Sequence, residues 1–83
     1  MTRHFFHVHD GEQRIMTDTV GTALEGIVEM RKEAIECACF AYDAGLIGES
    51  KQSCRVEVTD EAGNTSLTMQ VWPSLQLALL KMA

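Results

Sequence analysis

The sequence predicts an α+β domain in the order β-β-α-β-β. Four strands would form a mostly antiparallel sheet, with one long helix on one face and a short C-terminal helix. Three observations predict it. Asp10-Gly11 separates two strand-like runs. An apolar row at steps of three and four runs through residues 22–45. Two alternating runs flank Gly63 and stop at Pro73. The 83 residues are read as one domain over 1–83, since a chain this short has little area to divide between two cores. Its parts are a first hairpin over 3–17, a long helix over 22–45, a second hairpin over 53–72 and an apolar helix over 74–83.

The first run, RHFFHVH, is rich in aromatic and β-branched residues. Asp-Gly after it is a strong hairpin signal. With Asp10-Gly11 as the two turn residues, His9 faces Glu12, His7 faces Arg14, Phe6 faces Ile15 and Phe5 faces Met16. One face then carries Phe6, Val8 and Ile15, and this face is expected to meet the helix. The other carries Phe5, His7, His9, Glu12, Arg14 and Met16.

Thr22 and Glu25 have the spacing of a capping box, which predicts a helix start at Thr22. Gly45 suits the left-handed position just past the helix end, with Leu46 folding back onto Ala41. The buried row is read as Ile27, Met30, Ala34, Ala38 and Ala41, widened by Leu24, Val28, Ile35 and Tyr42. Its alanines suit close approach to a flat sheet. Leu46-Ile47 are placed at the end of the core. In the second hairpin, Cys54, Val56 and Val58 share a face with Leu67, Met69 and Val71. The reverse face shows Arg55, Glu57, Thr68, Gln70 and Trp72. Pro73 ends the strand, because it has no N–H for a ladder. Ser74 is read as the cap of the last helix.

Several pieces of this chain resemble a family of small bacterial proteins known only as a domain of unknown function. Its members typically read R-Y-F-F-x-x-x-D-G, then A-R-x-E-A, then V-x-V-x-D-E-x-G. The matching pieces are Phe5-Phe6, Asp10-Gly11, Arg31, Glu33-Ala34 and Val56 to Gly63, with a D-x-x-G connector from Asp18 to Gly21. His4 stands where the family usually has tyrosine, and the Leu-rich tail after Pro73 is outside the pattern. The resemblance covers residues 3–71 and implies a compact α+β domain with no established activity. More loosely, strand–turn–strand before a helix containing Glu33-Ala34 is similar to the N-terminal domain of HicB-type antitoxins, which bind a small basic toxin. The proline-containing motif of those proteins is missing before the helix.

Composition narrows the function classes. Twelve acidic against seven basic residues give a net charge of −5. That argues against a broad nucleic-acid footprint, which needs clustered Lys and Arg. It suits a basic protein partner. Nothing is apolar enough to span a bilayer. Met-Thr-Arg-His leads directly into a strand pattern rather than an apolar signal region. Three cysteines cannot pair completely, so reduced thiols in a cytoplasmic protein are expected.

His7-x-His9 is the strongest chemical candidate. Both imidazoles point to one strand face and could share a metal with Glu12 as a third ligand. The plainer reading is an exposed pair with Glu12 as an ion-pair partner. A metal-dependent enzyme using His7 and His9 is therefore a lesser alternative, and no metal or cofactor is expected. Cys37-x-Cys39 points its sulfurs to opposite sides of a helix. With Cys54 on a strand, no thiol gains a recognisable base. Glu25, Glu29, Glu33 and Glu36 form an acidic ridge, either a solvated face relieved by Lys32 or a dock for a basic protein.

The leading expectation is a non-enzymatic domain acting through protein contacts, as a homodimer. Its contact surface is read as Phe5, Met16 and Trp72 with Leu75, Leu79 and Met82 of the tail, because none of the first three has a place against a single helix. The alternative is an antitoxin-like or regulatory module for a basic partner.

Overall fold

The computed structural model describes residues 2–47 and 53–82, the stretch 78–82 as backbone only. The elements are β1 (Thr2–Asp10), β2 (Gln13–Met16), β3 (Thr22–Leu24), α1 (Ile27–Asp43), β4 (Cys54–Thr59), β5 (Thr65–Val71) and α2 (Pro73–Met82). The sheet runs β2-β1-β4-β5, with β3 paired to β1, and every pairing is antiparallel. It has five strands rather than the expected four. The molecule measures 17 Å along its shortest axis. That admits one sheet and one helical layer, so among the described residues no helix covers the sheet's second face.

The first hairpin turns one residue later than expected. Gly11 and Glu12 are the turn residues, and Asp10 pairs with Gln13. Gly11 has φ 65°, while no residue other than glycine has positive φ among the described residues. A glycine first and an ordinary residue second is the pattern of a type II′ turn, not the type I′ turn that Asp-Gly suggested. His9 therefore faces Arg14, not Glu12. A bulge between Val8 and His9 shifts the register again, so Val8 faces Met16. Met16 and Ile15 both pack against the core, and Met16 is not an outer-face residue.

The long helix begins at Ile27, not Thr22. Thr22 is taken by a strand pairing with His4, and the capping box does not form. Gly26 is the N-cap, in extended conformation at φ −132° and ψ 162°, with no side-chain cap. Its carbonyl accepts the Met30 N–H at 3.0 Å. At the other end Gly45 has φ 75°. The Leu46 N–H donates to Ala41 O at 3.0 Å and the Gly45 N–H to Tyr42 O at 3.1 Å. These are the two bonds of a Schellman ending. Ile47 then enters the core, while Leu46 stays exposed.

Met30, Ala34, Ala38 and Ala41 form the buried helix row against Phe6, Val8, Val56 and Val58. Ile27 lies at the first turn and is exposed, as are Val28 and Tyr42. Ala34, Ala38 and Ala41 have no exposed surface, so α1 approaches β1 and β4 closely. Ala38→Leu is expected to destabilise the fold by roughly 1–3 kcal/mol through overpacking. A urea midpoint equal to that of the parent would contradict this placement.

In the second hairpin, Cys54, Val56 and Val58 face Val71, Met69 and Leu67, as alternation predicts. The Asp60 carboxylate accepts the N–H groups of Ala62 and Asn64 at 3.0 and 2.9 Å, and Gly63 has φ 85°. In α2 the Gln76 N–H donates to Trp72 O at 3.1 Å. Trp72 is thus the cap, and Pro73 takes the first helical position, where its fixed φ fits and its missing N–H is not needed. Ser74 is not the cap. α2 packs against α1. Among the described residues no helix is long and apolar enough to cross a membrane.

Candidate functional site

The outer face of the sheet carries two adjoining polar clusters, and Asp18 anchors the first. β1 is shared between two short strands, residues 8–10 pairing with β2 and residues 2–4 with β3. Asp18 meets β1 between them. Its Oδ2 accepts the Phe6 N–H at 3.2 Å. Its Oδ1 accepts the N–H groups of Val20 and Gly21 at 3.0 and 2.9 Å. Burial works against its charge, yet the three amide donors outweigh that and hold the carboxyl below its ordinary value. Arg3 fastens the connector from the other side, donating to Val20 O at 3.0 Å and Gly21 O at 3.2 Å. Gly21 has φ 78°, and a Cβ there would stand 2.8 Å from Arg3 Cγ and 2.9 Å from Phe5 Cε2. Only glycine satisfies both constraints. Asp18-x-x-Gly21 is therefore one structural device.

His7 is buried against this device. The Asp18 N–H donates to His7 Nδ1 at 3.2 Å. An amide cannot accept, so Nδ1 is unprotonated. The proton then sits on Nε2, which donates to Thr59 Oγ1 at 3.1 Å. Burial and the Arg14 charge lower the His7 pKa, with Glu57 and Asp18 pulling the other way and His9 adding a small lowering effect. Protonation would turn Nδ1 into a donor facing a donor. The unfolded chain takes up a proton near the ordinary value of 6.5, while the folded chain resists until lower pH. Stability must therefore fall as pH drops below that value. The urea midpoint of His7→Gln is expected to depend less steeply on pH in this window than that of the parent. Equal slopes would contradict the tautomer assignment.

His9 belongs to a second cluster around Glu57. His9 Nε2 donates to Glu57 Oε1 at 3.2 Å, and Arg14 Nη2 lies 3.5 Å from the same oxygen. Thr65 Oγ1 donates to Glu57 Oε2 at 2.8 Å. The Thr65 hydroxyl is the main influence holding the Glu57 carboxyl below its ordinary value, with burial opposing and His9 and Arg14 adding to it. The cluster ties β2, β1, β4 and β5 together across the sheet.

The ligand trio of His7, His9 and Glu12, weighed as a lesser alternative, is not assembled. Glu12 sits in the exposed turn, and the other two side chains have separate partners. Among the described residues no group of three or more His, Cys, Asp and Glu side chains is placed to hold a metal ion. The thiols are elsewhere. Cys54 lies on the helix side of the sheet, and Cys37 packs against the core. Burial pushes both thiols up to about 11, with Glu33 adding at Cys37 and Asp10 at Cys54. A thiol so raised is protonated at neutral pH and is a poor nucleophile.

Phe5, Met16 and Trp72, expected to share one contact patch, are dispersed. Phe5 pairs with Thr59 and is half-buried against Gly21. Trp72 follows Val71, which pairs with Cys54 at the opposite end of β4. Met16 packs on the core. Trp72 is 48% and Leu75 56% exposed. The side chains of Leu79 and Met82 lie outside the described residues.

Sequence reading missed Asp18, Glu57 and Thr59 as members of the network. The D-x-x-G spacing was the available signal for Asp18. For Glu57 and Thr59 the signal was their place on the outer face of a strand, which acquires meaning only once β4 is known to lie beside β1.

A family model described as domain of unknown function (DUF6894) matches residues 3–72. The match ends one residue after β5 and leaves α2 outside. No curated protein and no solved structure matches the chain.

Proposed function

We propose, for a chain that belongs to the DUF6894 family of unknown function, a non-catalytic role exercised through protein contacts, as a homodimer in the cytoplasm. One observation carries the reading. Trp72 and Leu75 stand exposed together where β5 passes into α2, although α2 already packs on α1. Large apolar side chains left outside a folded core mark contact surfaces when they sit side by side. The polar cluster supports the same view from the other direction. Both nitrogens of His7 and both oxygens of Glu57 have partners within the fold. No thiol or hydroxyl described above has the free base that nucleophilic catalysis needs. The three free cysteines support a reducing compartment.

Sedimentation velocity across micromolar concentrations tests the dimer. A concentration-dependent shift to twice the monomer mass is expected. A monomer at every concentration would overturn it.

A second reading rests on Glu25, Glu29 and Glu36, all exposed in a chain of net charge −5. It is a regulatory or antitoxin-like module that docks a basic protein. Co-purification with a small basic protein that is lost when these three residues become glutamine would favour it.

A further inference from the structure

We infer that β5 is the surface through which two copies of this chain pair, antiparallel about a two-fold axis at Thr68, making one continuous sheet. The inference rests on the homodimer reading and names the surface that reading leaves open.

The two sides of the sheet are finished differently. On one side β1 carries two short strands, β2 of four residues and β3 of three. That side has a bulge between Val8 and His9 and a charged Arg14. Short strands, bulges and charges are how sheet edges avoid pairing with other chains. The other side ends in β5, seven residues long and paired only with β4 among the described residues. Its single irregularity lies at the hairpin end, beside Thr59. No charged residue occurs between Glu61 and Lys81. α2 does not provide the missing cover as a further strand, because it is helical and packs on α1.

A second copy suits this edge better than an unrelated strand. A two-fold axis at Thr68 sets Thr68 against its own copy and every other residue against the one equally far beyond the axis, so any charge on the strand would be doubled close to the axis. β5 has none. Pairing about Thr68 sets Leu67 against Met69 of the second copy, both on the core face. These two side chains are half-buried and packed against the core. The second copy would cover them and extend the core. On the outer face Thr68 would meet its own copy and Gln70 would meet Ser66, all three exposed and uncharged.

The test is a charge swap in the full chain. One variant carries Thr68→Lys and Gln70→Lys, the other Thr68→Glu and Gln70→Glu. Both positions are exposed, and a circular dichroism spectrum like the parent's checks the fold. Each variant alone gathers four like charges around the axis, so its dimer is expected to weaken about tenfold or more. An equimolar mixture is expected to form heterodimers at least as tight as the parent dimer. Variants that each dimerise like the parent would overturn the β5 surface while leaving the homodimer reading intact. So would variants that stay monomeric even when mixed. A monomeric parent would overturn both.

Discussion

Phe6→Ala is expected to destabilise the domain by about 3–5 kcal/mol, the range for removing a large aromatic side chain from a core. Phe6 is 1% exposed and is the largest of the fully buried side chains. It stands on the strand that pairs with β4, across from Val58, and its face is the one the helix covers. Three of the four buried residues of the helix opposite are alanines, which cannot reach into the space left behind. An 83-residue domain has a stability of only several kcal/mol. The variant is therefore expected to be largely unfolded at physiological temperature. A denaturant midpoint within error of the parent's would place the core elsewhere.

The second large effect is expected at Asp18. Asp18→Ala removes the acceptor of three backbone N–H groups at once. Hydrogen bonds to a charged group contribute roughly 1.5–3 kcal/mol each, and the partly exposed setting of the connector reduces the sum, so about 2–4 kcal/mol in total is expected. Asp18→Asn keeps one oxygen and should fall between. The pH dependence carries the same signature. The Asp18 carboxyl lies below its ordinary value, so its stabilisation is present above that value and is lost as pH falls through the folded-state value. Proton-linked loss of stability in acid should be smaller in Asp18→Ala than in the parent. If the two variants matched the parent at neutral pH, the connector would not be held by this side chain.

Local chemistry made much of the fold legible. The left-handed Gly45 and Gly63, the alternation in β4 and β5, and the alanine row of α1 can be read from neighbouring residues alone. Two errors came from local signals with more than one reading. Asp10-Gly11 suits either turn type, and only the second hairpin position distinguishes them. Thr22-x-x-Glu25 suits a capping box, but Thr22 gains more as a strand partner of His4 on β1. The outer-face network was illegible for a different reason. His9 meets Glu57 across 48 residues of chain, and His7 meets Thr59 across 52. Such pairs follow from the strand order, which sequence periodicity does not encode. Phe5 is covered because Gly21 passes over it, a contact that depends on the connector's path.

The proposed pairing uses one surface, the side of β5 that faces away from β4. Amide hydrogen exchange measured across a dilution series tests it most directly. Alternate amides of residues 65–71 point away from β4 and have no partner strand among the described residues of one chain. Their protection is expected to rise with protein concentration, in step with dimer formation, while the amides of β1 and β4 stay unchanged. Fast exchange of those β5 amides at every concentration, under conditions where the chain sediments as a dimer, would contradict the account.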